Sequence, residues 1–389
     1  MQFCFRGGLG LFRVCLHFLF SPPLNFLIRC ERTVRVWIDP LTPKQALFFT
    51  PLREVLLKEG HQVLVTTRAY REAEQTLQLK KVKYVVAGRH GGGTKLGKLV
   101  ATGERIVELA RIVASWKPDV AVSFTSPEAA RVAFGLGVPH VAVNDSPHSW
   151  MVAKLAVPLS RFVCSPWIIP RSVWLDLGAR RDGVVLYKAL DPAAWLKRFT
   201  PDEKAFDNLG LDRDRPLIMF RTEEAFAAYL MGKASDSAPV VGPVISDILA
   251  MRLDAQIVVS TRYGKQAPVL RRRFGRKIVV LDRIIDATSL LNEASFFIGS
   301  GGTMTVESIL LGTPAVSCFP GPKPLYIQYL EKQRLVETLH LPRSIASRAR
   351  EAIVHPERLE SRRRRGKALL KWMEDPVKRI SKVVMEAAN

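Results

Sequence analysis

The stretch from Ile298 to Thr303 reads Ile-Gly-Ser-Gly-Gly-Thr, an apolar strand that breaks at Ser300, Gly301 and Gly302 before a helix running on through Leu311. Thr303 is read as the residue that caps this helix. Backbone amides and the positive end of a helix dipole converge at such a junction, and glycine lets a ligand come close, so a diphosphate suits it. Neither the Lys-Ser/Thr ending of a P-loop nor the six-residue dinucleotide fingerprint follows. Glu307 falls one turn into the helix, on the face that reaches the hydroxyls of a bound ribose. The plain alternatives are a tight turn at the glycines and an exposed helix carboxylate at Glu307.

Such a junction needs a sheet behind it, and the chain supplies the pattern twice. Val34 to Asp39 is a short β-branched run, Pro40 and Pro43 mark a loop, and Gln45 to Glu59 has a helical pattern closed by Gly60. Strands follow at Gln62 to Thr66, Lys83 to Val86, Val120 to Ser123 and His140 to Val143, with Pro127 opening a helix between the last two. Residues 187–212 turn charged and irregular, which reads as a linker. A second set begins beyond it, at Leu217 to Phe220, Gln256 to Thr261, Lys277 to Leu281, Phe296 to Gly299 and Ala315 to Cys318. The expected organisation is an N-terminal extension (1–33), a Rossmann-like domain (34–186), the linker (187–212) and a second Rossmann-like domain (213–389) ending in basic helices. Ligands of open parallel sheets bind beyond the carboxyl ends of the strands, so the cleft between the two sheets is the expected site.

With 389 residues, the chain exceeds what one core usually organises. Lys and Arg number 58 against 36 Asp and Glu, a net charge of +22 that favours anionic partners: nucleic acid, an acidic membrane face or a diphosphate. Arg362 to Arg365 adds a basic run that is either a solvated helix face or an attraction to anionic lipid or nucleic acid. Cys4, Cys15 and Cys30 precede the body, which keeps Cys164 and Cys318; no disulfide framework results, in keeping with a cytoplasmic setting. The apolar run Leu9 to Phe20, interrupted by Arg13 and His17, is too short and broken to span a bilayer. It is a membrane-touching arm, a signal peptide or a mis-called start with initiation at Val34.

The order of apolar strand, Ser300-Gly301-Gly302-Thr303, helix with Glu307, then Leu311-Gly312-Thr313-Pro314-Ala315 resembles the C-terminal nucleotide site of GT-B glycosyltransferases, including the lipid-linked N-acetylglucosamine transferases. It is also similar to that of the non-hydrolysing UDP-N-acetylglucosamine 2-epimerases. Together with Val36-Trp37-Ile38-Asp39, Lys95-Leu96-Gly97-Lys98, Ser126 to Arg131 and Asn144-Asp145, it makes the chain from Val34 onward resemble the domain of unknown function 354 family. That resemblance implies an α/β fold of GT-B type, two Rossmann-like doubly wound parallel-sheet domains facing a cleft. It implies a nucleotide-diphosphate sugar, a UDP-sugar first, as substrate with no bound cofactor. Gly301, Gly302 and Thr303, next to Ser300, would hold the diphosphate and Glu307 the ribose; Ile285 would offer backbone to the base, and Gln328 would lie near the sugar. Enzymes of this type need no metal, and no aspartate pair or histidine cluster argues for one.

Chemistry at a glycosyl carbon needs a group to move a proton and positive groups to steady the leaving diphosphate. The loop Asn144 to His148 follows a predicted strand, so Asp145 and His148 should point into the cleft, unless Asp145 merely caps a turn. Arg221 and Arg262, at the ends of predicted strands, are candidates for diphosphate contact. The basic loop Gly88 to Lys98, with Lys95, is either a clamp for an acceptor phosphate or a mobile surface loop. Relatives carry two histidines in the first loop where this chain has Gln45 and Leu47, neither of which shuttles protons.

Three functions follow. The first is a glycosyltransferase using a UDP-sugar and a lipid-linked or anionic acceptor, at most peripheral to the inner membrane face. The second, a 2-epimerase, needs acids on both sides of the sugar ring, and Thr125 and Ser126 stand where one of them is expected. The third is a non-catalytic binder of nucleotides or nucleic acid, suggested by the absent histidines and the net charge.

Overall fold

The strands that the sequence pattern calls for are present and all pair in parallel in the computed structural model, which describes residues 32–222, 241–262, 266–300 and 302–389. The N-terminal extension read from residues 1–31 lies outside the described residues. Strands β1 (Arg35–Asp39), β2 (Gln62–Ala69), β3 (Val85–Arg89), β4 (Val120–Ser123), β5 (His140–Val143), β6 (Phe162–Pro166) and β7 (Val184–Tyr187) form one sheet, in the order β3-β2-β1-β4-β5-β6-β7. Strands β8 (Leu217–Arg221), β9 (Gln256–Ser260), β10 (Val279–Leu281), β11 (Phe296–Gly299), β12 (Ala315–Ser317) and β13 (Val336–Thr338) form the other, in the order β10-β9-β8-β11-β12-β13. The central strands β4, β5 and β6 are buried along their whole length, as parallel strands covered by helices on both faces must be.

Both sheets reverse their strand order once, between β1 and β4 and between β8 and β11. Those switch points open crevices past Asp39 and Ser123 in one sheet, and past Arg221 and Gly299 in the other. The sequence-predicted junction at Gly299 to Thr303 therefore sits where an open parallel sheet binds its ligand.

Local signals set the helices that flank these crevices. Ser126 Oγ accepts the amide of Ala129 with Pro127 at the first helical position, and Asp375 caps the last helix, Pro376–Ala388, in the same manner. Two regions depart from the sequence reading. Residues 187–212, expected as a linker, carry Leu190, Ala193, Trp195, Leu196 and Phe206 into the main hydrophobic core. The final helix, grouped by sequence with the second half, instead packs on the Pro43–Lys58 helix and on β4, β5 and β6. Its buried face of Val377, Ile380, Val383 and Val384 explains why. One core runs through both halves as a result, and Thr33–Asn389 is a single unit. The basic run is also partly spent on packing: Arg362 pairs with Glu337 at 3.0 Å and Arg363 donates to the carbonyl of Ser295.

Candidate functional site

Beyond β1 the chain turns at Pro40 and enters the Pro43–Lys58 helix. Thr42 Oγ1 accepts the amide of Gln45 at 3.4 Å, and Gln45 Oε1 accepts the amide of Leu41 at 2.6 Å, a reciprocal cap that fixes the loop. Gln45 thus holds the loop, its Oε1 spent on the Leu41 amide. The cap aims Lys44, whose ammonium nitrogen lies 2.5 Å from Asp145 Oδ2, 2.7 Å from Asp191 Oδ2 and 4.8 Å from the centre of the Phe124 ring.

Asp145 follows β5 in a loop pinned by Asn144, whose Oδ1 accepts the Ser146 amide at 2.6 Å and whose Nδ2 donates to Thr125 Oγ1 at 2.9 Å. Asp191 follows β7 and accepts the Tyr187 hydroxyl at 2.6 Å. Three strand ends therefore converge on one cation. Burial opposes the charge on Lys44, yet the two carboxylates hold its pKa above the ordinary lysine value. Burial also works against ionised Asp145, but the Lys44 charge and hydrogen bond dominate and keep it below the carboxylate range. Asp191 is the deeper group, and burial, then the charge of Asp145, push it up to about 7. Near neutral pH the pair shares its charge unequally, with Asp145 the ionised member.

Across the cleft stand Thr303, Val306 and Tyr326 of the second half, with Pro166, Leu190 and Pro192 closing the sides; the cavity between them is narrow, about 10 Å³, the room of a single water. Thr303 is the first residue of the helix Thr303–Leu311, and the cap is Gly302, at φ 103° and with no side-chain bond. This corrects the reading of Thr303 as the cap: only glycine takes that backbone readily, and the Gly302 carbonyl accepts the Thr305 amide at 3.2 Å. Gly301 lies outside the described residues. Ser300 is buried, with its hydroxyl 3.5 Å from the Cys318 sulfur.

Glu307 is buried rather than exposed, 3% accessible, and its Oε1 accepts the Trp195 indole at 3.0 Å and the Thr288 hydroxyl at 2.5 Å. Burial raises its pKa, against the pull of those two donors. Ile285 is half-buried, and its carbonyl accepts the Ala287 amide at 2.8 Å. The Arg221 guanidinium donates to Ser260 Oγ and the Thr261 carbonyl, bracing β8 against β9, while the Arg262 amide is held by Thr222 and Gln266. His148 stands exposed beyond Asp145; partial burial lowers its pKa, partly offset by the Asp145 charge.

Two expectations separate from the site. Gln328 is exposed and donates to the Lys323 carbonyl, and it is Tyr326, one turn-edge away on the same helix, that lines the cleft. Lys95 does not lie in a loop: it opens the helix Lys95–Trp116, capped by Thr94 Oγ1 accepting the Gly97 amide at 3.0 Å. The glycines at 91–93 and Gly97 suggested a longer loop, but the cap wins. Lys44, Tyr187 and Asp191 were not foreseen. Lys44 stands beside the positions of the absent histidines, and Asp191 falls within the stretch read as linker.

Solved structures with this fold include a UDP-N-acetylglucosamine 2-epimerase from Neisseria meningitidis, 15% identical, with TM-score 0.68 over 90% of this chain and 98% of that one. The glycosyltransferase SnogD from Streptomyces nogalater is 16% identical, with TM-score 0.61 over 92% of this chain and 100% of its own. At that identity they show the fold, which is GT-B. An uncharacterised protein of Methanocaldococcus jannaschii is 31% identical over 309 residues, 78% of this chain and 87% of its own length. A match to residues 34–389 is given by the family described as protein of unknown function DUF354, and the chain belongs to that family.

Proposed function

We propose that the protein is a sugar-nucleotide-dependent glycosyltransferase whose donor, a UDP-sugar, lies with its diphosphate at the amides opening the Thr303–Leu311 helix. One observation carries the reading: Lys44 and ionised Asp145 face Thr303 across a single cleft. An anion cradle on one side and a base with a neighbouring cation on the other are the two things glycosyl transfer requires. The Neisseria meningitidis structure was solved with UDP-N-acetylglucosamine, which supports a nucleotide of this class. In the proposed reaction an acceptor hydroxyl attacks the anomeric carbon and gives its proton to Asp145. The bond from that carbon to the diphosphate oxygen breaks, and UDP leaves with the electron pair. Lys44 orients Asp145, and its charge steadies the departing anion.

A second reading, 2-epimerisation of a UDP-sugar, gains from Asp191. The sequence offered Thr125 and Ser126 in place of an acid, whereas the structure supplies a second carboxyl group beside Asp145, with its pKa pushed up to about 7 and so partly protonated at neutral pH. Both readings are tested by incubating the protein with UDP, UDP-N-acetylglucosamine and UDP-glucose, first by thermal shift and then by product analysis. UDP release that depends on an added acceptor supports transfer, and a C2 epimer without acceptor supports the second reading. A shift without either product leaves binding alone, and no shift with any of the three ligands overturns the proposal.

A further inference from the structure

Three neighbouring helices of the first half leave apolar faces uncovered. On Lys95–Trp116, Leu96 and Leu99 are 71% and 70% exposed, and Val100 and Val107 continue the stripe at helical spacing. The Pro127–Gly135 helix packs against this helix and against Trp150–Ala156. Phe134 on the former and Leu155 on the latter are each 61% exposed, and Trp150 and Met151 stand out beside Leu155. Single exposed leucines need no account, but a run of large apolar side chains over three touching helices does.

Charge selects what covers it. Lys95, Arg131 and Lys154 are exposed on the same helices, with the Lys154 ammonium 5.4 Å from the centre of the Trp150 ring. Of the exposed carboxylates there, Glu104 is paired with Arg89 at 3.1 Å, which leaves Glu108, bonded to the Gly88 amide at 2.7 Å, against three cations. Trp, Leu and Phe interleaved with unneutralised Lys and Arg suit the headgroup region of an anionic bilayer, which attracts the cations while the apolar side chains enter its edge. A second copy would set one cationic face against another on chains of net charge +22.

We propose that this face docks on an anionic membrane surface. Trp150 follows the Asp145 to His148 loop almost directly, so docking would bring the mouth of the cleft to the lipid, where an acceptor with a lipid tail is found. The docking stands apart from the nucleotide reading and is measured without any nucleotide.

The test sediments the full chain with phosphatidylcholine vesicles, with and without phosphatidylglycerol, and compares it with Leu99→Glu/Leu155→Glu. Both positions are exposed, and an unchanged melting temperature checks the fold. The apolar residues near the chain start are the same in both proteins, so any difference belongs to the patch. We expect binding to phosphatidylglycerol vesicles that weakens with salt, and about a tenfold weaker partition for the variant. Equal partition of the two proteins overturns the proposal. So does equal binding to vesicles of phosphatidylcholine alone, or a wild-type dimer that the variant splits in sedimentation equilibrium, which would make the cover a second copy.

Discussion

The indole of Trp195 donates to Glu307 Oε1 at 3.0 Å, joining the segment that leaves the first sheet to the helix that opens the second crevice. Thr288 donates to the same oxygen, so the carboxylate that sequence directed at a ribose is held from two sides inside the protein. Removing one donor leaves a buried carboxylate under-satisfied. Trp195→Phe should therefore lose about 1–3 kcal/mol of stability in urea unfolding, more than the small change in apolar area accounts for. A loss confined to a few tenths would mean that Glu307 is satisfied without the indole.

Lys44 has a larger task, since it bridges two carboxyl groups at once and balances the charge they share. Lys44→Met should cost roughly 3–5 kcal/mol at neutral pH, because uncompensated charge stays buried. Acid protonates those carboxyl groups, so the deficit should shrink toward pH 4 in parallel denaturation series. A deficit independent of pH would reduce the role of Lys44 to packing.

Asp191 gives the pair its own pH signature. Its folded pKa, about 7, lies above the ordinary 3.8. A raised carboxyl favours the folded state only while protonated, so its contribution is complete below the unfolded value and is lost as pH rises through the folded one. Asp191→Asn is always neutral, and its stability should gain on that of the wild type from about pH 4 to about pH 7, then run level. In activity assays the wild-type inflection near 7 should vanish in this variant. Parallel stability curves would place the shared proton elsewhere in the pair.

His140 provides the opposite sign. It is buried between Ser123 and Ser160, at 2.8 Å from each hydroxyl, and burial lowers its pKa from 6.5 to about 4. The unfolded chain takes up the proton first, so stability should fall as pH drops from about 6.5 to about 4, by roughly 3 kcal/mol in total. His140→Gln should lose that part of the acid slope while costing some stability at pH 8. An unchanged slope would show that the imidazole charges in place.

Much of this architecture is legible along the chain because its determinants are local. β-branched runs, Pro127 behind Ser126, and the glycine junction at the end of β11 each carry their own signal. Asp145 is legible for the same reason, as a loop residue directly after a strand. Asp191 and Lys44 are not, since each acquires meaning only when distant strand ends meet at one edge of the sheet. The final helix is misplaced by a reading of order alone: its amphipathic face says that it packs, but not on which sheet. The helix at Lys95 is obscured by glycines at 97 and 103, which weaken the helical signal without breaking the helix.

Gly302 separates strain from ligand binding, and so tests the anion cradle itself. Its φ of 103° is one that side chains rarely adopt, although an added Cβ would meet nothing within 4 Å. Substitution there strains the turn without a clash, so Gly302→Ala should lose roughly 1–3 kcal/mol, and the fold of any variant is less stable from the outset. Gly302→Asp should lose a similar amount, since its Cβ likewise meets nothing, but it also places negative charge where the diphosphate is proposed to lie. The informative comparison is between these two variants. Gly302→Ala should keep a measurable UDP-induced rise in melting temperature, reduced from that of the wild type, and Gly302→Asp should show none. Equal UDP protection in both would mean that the amides beside Gly302 do not hold the phosphates, and the proposed donor site would have to be abandoned.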